Sequence, residues 1–317
     1  MKNLVFTSIG HRDFRDKDNN PFEGNPIDEW TKGLKDFDLV TYCYDDSEIG
    51  KDKSDLWVSR KGTKYQNFYH YATTYSSHYN QYDYIWVVDD DMFMSTEDIN
   101  KMFQLMEDHN IDLGQPSFSP EGMHYIRILV NDPNYFLRYT TYVECSAMIL
   151  SRKGLEKVLH TFDDTITGFA WDTLVSNMIN NGENSAVFDS IQAYHAPSLS
   201  SIDRVMARPL HKVEGERLLE KYNRMGEWGN RDITSAIDIN GKRVEFDIRM
   251  PATHQKNVYK PAVQGRVVVK PLGKKDKDSP MEWMAYRKLY VGQGQSNLID
   301  EEIVKEYEER NGTNRSN

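Results

Sequence analysis

Apolar positions in the first two-thirds of the chain follow two alternating periodicities. Segments between the strand-like runs carry apolar residues at helical spacing, most clearly from Ile99 to Met106, where Ser95 offers an N-cap. Short apolar runs bounded by turn residues predict strands in KNLVFTSIG, FDLVTYCYDD, YDYIWVVDDD, IDLGQPSF, YTTYVECSAMILS and SAVFDSIQAYHA.

This alternation favours an α/β fold with a mostly parallel central sheet flanked by helices. Ligands in such folds bind at the carboxyl ends of the strands. Asp45, the run from Asp89 to Asp91, and His195 all follow predicted strands, so we expect a site there. The periodicity fades near residue 205, which predicts a catalytic domain over 1–205 and a C-terminal extension over 206–317.

Charge is distributed unevenly over the 317 residues, whose formal net charge is −10. Residues 1–200 carry 17 basic and 31 acidic side chains, whereas 201–317 carry 22 and 18. Within the latter, 251–280 hold seven basic and two acidic residues, which indicates either a solvated surface or contact with a phosphate-bearing partner.

Several classes of protein are disfavoured by the sequence. It contains no apolar run of membrane-spanning length, no secretory signal pattern and only two cysteines, so we expect a cytoplasmic protein. P-loop, G-x-G-x-x-G, zinc-finger and G-x-S-x-G patterns do not occur, which counts against kinases, dehydrogenases and serine hydrolases.

Three consecutive acids, Asp89, Asp90 and Asp91, follow the apolar strand YIWVV. Two carboxylates separated by one residue can share a hard divalent cation and leave positions open for phosphate oxygens. The pattern therefore predicts a Mn²⁺ or Mg²⁺ site. Side chains alternate along an extended backbone, so Asp90 is expected to face away from this site, as a helix cap or a solvent-facing acid.

YDYIWVVDDDM resembles the strand and D-x-D motif of nucleotide-sugar glycosyltransferases of the Rossmann-like GT-A fold. The ordered segments GTKYQNFYHYA, LGQPSF, YVECSAMILSRKGL, GFAWDTLV and VFDSIQAYHA are similar to those of the DUF707 family of glycosyltransferase-like proteins. The resemblance covers about residues 1–205. The uninterrupted aspartate triplet departs from the more mixed acidic motif of that family, and the last third of the chain matches none of it.

The resemblance implies a metal site formed by Asp89, Asp91 and His195, with Asp89 also reaching the sugar or ribose. It also implies that Asp172 removes the proton from the acceptor hydroxyl if the enzyme inverts. In that role Asp172 would lie beside Trp171, whose ring could pack on a sugar face. The alternative is that Asp172 is a helix N-cap and Trp171 is a core residue.

Glu144 and the first strand complete the candidates. Glu144 is expected within a strand, either as a sugar-hydroxyl acceptor or catalytic acid, or as a structural partner of Arg138 or Arg152. Asp189 is expected to be a supporting or structural acid. Nucleotide-binding candidates lie mainly at two strand ends, and Lys64 and Arg60 are candidate phosphate contacts: Thr7, Ser8, Gly10, His11, Arg12, Asp45, Lys64, Arg60 and Asp89.

The leading hypothesis is a metal-dependent glycosyltransferase that uses a nucleotide sugar, by analogy a UDP-sugar, and an unidentified acceptor hydroxyl. A glycan, a small molecule or a hydroxymethylated DNA base are alternative acceptors, the last using Lys256 to Lys277 for phosphate contacts. A nucleotidyltransferase or a non-catalytic nucleotide-sugar-binding protein are the rival classes.

Overall fold

A computed structural model describes residues 1–11, 22, 24–180, 183–196, 208–224 and 231–246. Arg12 and the basic stretch 251–280 lie outside these residues. Helices pack against one large sheet whose path is β11-β10-β7-β9-β6-β8-β4-β1-β2-β3, with β5 paired to β9. The strands are β1 (Asn3–Ile9), β2 (Asp38–Cys43), β3 (Leu56–Ser59), β4 (Tyr84–Asp89), β5 (Met92–Phe93), β6 (Leu113–Phe118), β7 (Tyr135–Thr140), β8 (Ala147–Ser151), β9 (Ser185–His195), β10 (Ile233–Asp238) and β11 (Arg243–Glu245).

The helix over Thr96–Asp108 begins at the polar residue that the sequence marks as its cap. Ser95 Oγ accepts the backbone N–H of Asp98 at 3.0 Å, which confirms the predicted start of the clearest helix. Short 3-10 helices span Arg127–Leu129 and Leu159–Asp164. The α-helices are α1 (Pro26–Trp30), α2 (Lys64–Thr74), α3 (Ser76–Tyr79), α4 (Thr96–Asp108), α5 (Arg152–Val158), α6 (Trp171–Ile179) and α7 (Arg208–Lys221).

One half of the sheet is parallel, as expected. Strands β3, β2, β1 and β4 run side by side in the same direction. Ser8 is in register with Asp89, and Ile9 with Cys43. The carboxyl ends of β1, β2 and β4 therefore meet at one edge, where the candidate residues lie.

The other half is mixed, so the prediction of a mostly parallel sheet is wrong. Strand β8 lies between β4 and β6 and is antiparallel to both, while β7 is antiparallel to β9 and β10. The predicted strand YTTYVECSAMILS instead covers the end of β7, a connecting segment over 141–146, and β8. No glycine or proline marks this break, and no helix connects the two strands as parallel βαβ units would require.

The sheet carries a hydrophobic core on each face because residues of its central strands alternate. Trp86 faces α1 and α4, where it packs against Trp30 at 5.4 Å between ring centroids. Its neighbours Ile85 and Val87 face the opposite core with Phe68 of α2. Burial on both faces holds β4 rigidly up to its carboxyl end.

The described part beyond residue 205 adds to the same sheet. Strand β10 pairs with β7, and β11 pairs with β10. The division into 1–205 and 206–317 stays a prediction. Among the residues that the structure describes, no helix is long and apolar enough to cross a bilayer.

A buried ion pair joins β7 to β9. Arg138 donates from Nε and Nη2 to both carboxylate oxygens of Asp189, at 2.6 and 2.7 Å, and both side chains are inaccessible to solvent. Asp189 also accepts the backbone N–H of Asp132 at 2.9 Å. These contacts give Asp189 a structural role, which agrees with one of its two expected roles.

We predict that Arg138→Met lowers the free energy of unfolding by about 3–5 kcal/mol, because Asp189 is left as an uncompensated buried charge. Urea denaturation followed by circular dichroism measures this. The double variant Arg138→Met/Asp189→Leu should be less destabilised than the single one. Lys51→Met, which removes an exposed pair with Glu48, is the control and should change stability by less than about 0.5 kcal/mol. A single variant as mild as this control would contradict the prediction.

Candidate functional site

The three consecutive aspartates point to three different neighbours. Strand β4 ends at Asp89, Asp90 and Asp91 form a turn, and β5 follows at once. The turn is held from both sides, since the Asp89 N–H donates to Ser146 O and the Ala196 N–H donates to Asp91 O, each at 2.8 Å. The triplet therefore occupies a fixed junction between β4, β8 and β9.

Asp89 pairs with a buried lysine. Lys64, the first residue of α2, places Nζ 2.8 Å from Asp89 Oδ1, and its side chain is only 6% exposed. The same ammonium donates to the carbonyl oxygen of Cys145 at 2.5 Å. Lys64 is thus held at the end of β4. A phosphate contact of Lys64 and a metal-ligand role of Asp89 stay predictions.

Asp90 corrects the expectation from the sequence. It is buried, and its Oδ2 accepts the Tyr44 hydroxyl at 2.8 Å and the Gly10 N–H at 3.3 Å. Ser95, rather than Asp90, caps the following helix. Strict alternation fails because the chain turns immediately after Asp89, so Asp90 faces the ends of β1 and β2 instead of solvent.

Asp91 faces the end of β9. Its Oδ1 lies 3.4 Å from Nε2 of His195, and both side chains are inaccessible to solvent. Pairing of Met92 with His195 across β5 and β9 brings them together. The large separation of Asp91 and His195 in the sequence gives no sign of this contact. Their positions at the ends of predicted strands do favour it.

These two side chains are suitable for a divalent cation. Neither ring nitrogen of His195 has a hydrogen-bond partner in the described part of the chain, and carboxylate and imidazole both bind Mn²⁺. Within that part, however, no three histidine, cysteine or acidic side chains form a metal-binding group. A cation here would need other ligands from phosphate oxygens and water, as Mg²⁺ does at diphosphates.

The nucleotide-binding candidates of β1 form a connected layer. Thr7 is fully buried, and Ser8 Oγ accepts Nδ2 of Asn67 at 2.9 Å. Asn67 Oδ1 accepts a hydrogen bond from Arg60, which ties that arginine to the same layer. Whether these residues contact a nucleotide stays a prediction.

Position 10 requires glycine because the side chains of Tyr44 and Asp45 approach its backbone closely. A Cβ at this position would lie 2.2 Å from the Tyr44 ring and 2.8 Å from Asp45 Oδ2. The same Asp45 oxygen accepts the His11 N–H at 2.6 Å, and Ser47 also donates to Asp45. Asp45 thus joins the ends of β1 and β2. Partial burial acts to raise the pKa of its carboxyl, but these hydrogen bonds outweigh burial, so the pKa lies below its usual value.

Asp172 lies in the first turn of α6 and accepts the Tyr142 hydroxyl at 2.5 Å. Burial raises the pKa of the Asp172 carboxyl above its usual range, although Tyr142 and the charge of Arg231 oppose the shift. The N-cap of α6 is Ala170, which excludes the capping alternative. Trp171 is buried with Nε1 donating to Thr161, which supports the core role of Trp171 over packing on a sugar.

Glu144 lies outside the strands, in the segment 141–146, and is almost fully buried. Its backbone N–H donates to Gln115 Oε1 at 2.7 Å. The expected structural partners are engaged elsewhere, since Arg138 binds Asp189 and Arg152 donates to the carbonyls of Tyr79 and Tyr82. The role of Glu144 in catalysis stays a prediction.

Electrostatics connect the two sides of the site. Burial raises the pKa of the Cys145 thiol, and the charges of Asp172, Lys64, Asp89 and Glu144 all act on it. Because all four charged groups act on the Cys145 thiol, the end of β4, the segment 141–146 and the start of α6 lie close together.

Sequence reasoning missed Glu214, a buried acid of α7. It accepts the Ile166 and Thr167 N–H groups and the hydroxyls of Thr165 and Thr167. These bonds fix the loop that precedes α6, where Ala170 has a left-handed φ of 63°. No local motif signals this contact, because the two partners are far apart in sequence.

Comparison with known proteins yields no family. No protein-family model and no curated protein match the sequence. Solved structures that resemble the chain include A197 from STIV (13% identity, 77% of this chain and 94% of that one, TM-score 0.36) and S. aureus TarS 1–349 (13%, 71% and 73%, 0.40). Another is the mannosyltransferase PcManGT from Pyrobaculum calidifontis in complex with GDP-Man and Mn²⁺ (13%, 70% and 64%, 0.43). TM-scores below 0.5 assign neither family nor function.

We predict that Tyr142→Phe raises the pKa of the Asp172 carboxyl further, because the variant loses a hydrogen bond that favours the ionised form. Carboxyl ¹³C NMR titration of aspartate-labelled protein measures the shift, and Asp172→Asn assigns the resonance. Tyr125→Phe, which alters an exposed tyrosine, is the control and should leave the titration unchanged. An unchanged or lowered pKa in Tyr142→Phe would contradict the described geometry.

Proposed function

We propose that this chain is a metal-dependent glycosyltransferase that moves a sugar from a nucleotide-sugar donor to an acceptor hydroxyl. The proposal rests on one observation above all. The junction after β4 carries a pair suited to a cation, Asp91 and His195, and a carboxyl of raised pKa, Asp172, acts on the same Cys145 thiol as Asp89 at the start of that junction. Departure of a diphosphate and activation of a hydroxyl need these two kinds of group.

The donor would bind at the ends of β1, β2 and β4. Gly10 lets Tyr44 and Asp45 pack directly against the end of β1, and Asp45 holds the adjoining loop through the His11 N–H. Thr7 and Ser8 would support the end of β1 at this site. Asp89 and Lys64 would contact the ribose or the sugar. The resemblance stated for the sequence favours a UDP-sugar.

The cation would be held by Asp91 and His195. When bound, Mn²⁺ or Mg²⁺ would neutralise the negative charge that develops on the departing diphosphate. Lys64, held beside Asp89, would add a fixed positive charge at the same end of the sheet. Burial of these residues strengthens their electrostatic effect on a bound phosphate.

Asp172 would act as the base if the transfer inverts the anomeric centre. Its raised pKa makes it a better proton acceptor than an exposed aspartate, while the Tyr142 hydrogen bond orients it. Glu144 would accept a hydrogen bond from a sugar hydroxyl. The α6 N-terminus is held by the Glu214 contacts, so the position of the base is fixed before substrate binds.

A non-catalytic nucleotide-sugar-binding protein is the alternative that the same groups permit. It would bind donor and cation without needing a carboxyl of raised pKa at Asp172. A nucleotidyltransferase is less well supported, because the first strand is not followed by a glycine-rich basic phosphate loop in the sequence. A modified DNA base stays an alternative acceptor, since the basic stretch 251–280 lies outside the described residues.

We predict slow hydrolysis of one nucleotide sugar in a panel of UDP- and GDP-sugars incubated with Mn²⁺. Asp91→Asn should lower this rate at least about 100-fold, because the charge of the leaving group is no longer balanced. Asp108→Asn, which alters an exposed acid of α4, is the matched control and should retain the full rate. Released nucleoside diphosphate is measured by chromatography.

The outcomes separate the alternatives. Binding of a donor with Mn²⁺, detected as a thermal shift, without any hydrolysis or transfer would favour the binding protein. Release of pyrophosphate instead of a nucleoside diphosphate would identify a nucleotidyltransferase. Absence of both hydrolysis and thermal shift with every donor would overturn the proposal.

A further inference from the structure

One exposed arginine, Arg231, lies beside the candidate base and has no assigned role in binding the donor, the cation or the acceptor. Arg231 lies two residues before β10, and its guanidinium carbon is 4.5 Å from the centroid of the Tyr142 ring. The hydroxyl of that tyrosine is bonded to Asp172. A planar cation is therefore stacked on the ring that orients the base.

The backbone around Arg231 is fixed to the segment that carries Tyr142. The Asp232 N–H donates to Thr141 Oγ1 at 2.9 Å, and the Thr141 N–H donates to the Asp232 carbonyl at 3.0 Å. Thr140 Oγ1 donates to the same carbonyl at 3.0 Å. These three bonds, all to the main chain of Asp232, place Arg231 beside Tyr142 without using the Arg231 side chain.

The polar donors of Arg231 are uncommitted in the part of the chain that the structure describes. Its side chain stacks on Tyr142 and its charge acts on Asp172, but it makes no salt bridge or hydrogen bond among the described residues. The other cations near the site are occupied: Lys64 by Asp89 and Arg138 by Asp189. A guanidinium has five N–H groups in a rigid fork that matches a carboxylate or phosphate.

We propose that Arg231 binds an anionic group, a carboxylate or a phosphate, on the acceptor of the reaction. This inference rests on the proposed glycosyltransferase function and specifies the substrate class of the same site. The donor diphosphate is the other possible source of such a group. The acceptor is favoured because the charge of Arg231 acts on Asp172, the proposed base for the acceptor hydroxyl, whereas the diphosphate would lie at the end of β4.

The test compares charged and neutral acceptors with the donor that the hydrolysis panel identifies. Methyl glucoside, methyl glucuronide and glucose 6-phosphate, with their galactose and mannose counterparts, are supplied as acceptors. Rates are measured for the wild type, Arg231→Gln and Arg231→Lys on the high-pH plateau, where Asp172 is ionised in every variant. Arg243→Gln is the control, because this arginine also stacks on a tyrosine but is paired with Glu183 and Glu245.

We expect the wild type to prefer a charged acceptor to its neutral counterpart. Arg231→Gln should reduce transfer to the charged acceptor about 10- to 100-fold, the value of a charge-assisted hydrogen-bond pair, and leave the neutral one unchanged. Arg231→Lys should recover part of the loss, since it keeps the charge but not the fork. Donor hydrolysis without acceptor should be equal in all variants.

Two results would overturn the inference while leaving the proposed function intact. One is equal or better transfer to neutral acceptors by the wild type, including the absence of transfer to any charged one. The other is a loss of donor hydrolysis in Arg231→Gln, which would assign the arginine to the donor diphosphate. Failure of the wild type to hydrolyse any donor would overturn the proposed function and this inference with it.

Discussion

Mutual repulsion of three adjacent carboxylates at the end of β4 is the constraint on which the site depends. Unit charges a few ångströms apart at partly buried positions interact by several kcal/mol, so such a cluster persists only if each charge has its own compensation. Asp89 has the Lys64 ammonium, Asp90 has the Tyr44 hydroxyl and a backbone N–H, and Asp91 lies 3.4 Å from His195, where a bound cation would balance its charge. The turn separates the three carboxylates by directing them to different strands.

Each of these partners depends on the order of strands in the sheet. Placement of β1 and β2 on one side of β4 brings the loops that meet Asp90. Insertion of antiparallel β8 on the other side brings Ser146 against Asp89, and the β5–β9 pair brings His195 against Asp91. The cores on both faces hold β4 rigid, so the geometry of the carboxylates is set by the fold before any ligand binds.

The sequence predicts the parallel half of this site well and the mixed half poorly. Alternating patterns locate β1, β2 and β4, and the strand-end rule correctly gathers Asp45, the triplet and His195. The break between β7 and β8 has no local signal, so the sequence wrongly predicts a strand at Glu144. The partners of Asp90 and the contacts of Glu214 are long-range, which no pattern in a single sequence reports.

The central claim is that the three aspartates do different work, and Mn²⁺ binding tests it most directly. Electron paramagnetic resonance measures free Mn²⁺ in titrations of Asp89→Asn, Asp90→Asn and Asp91→Asn, alone and with UDP. We expect Asp91→Asn to weaken Mn²⁺ binding at least about 10-fold, as loss of a charged ligand should, and Asp90→Asn, whose side chain faces Tyr44 and Gly10, to stay close to the wild type. Equal weakening in all three variants, or a larger effect at Asp89 than at Asp91, would contradict it.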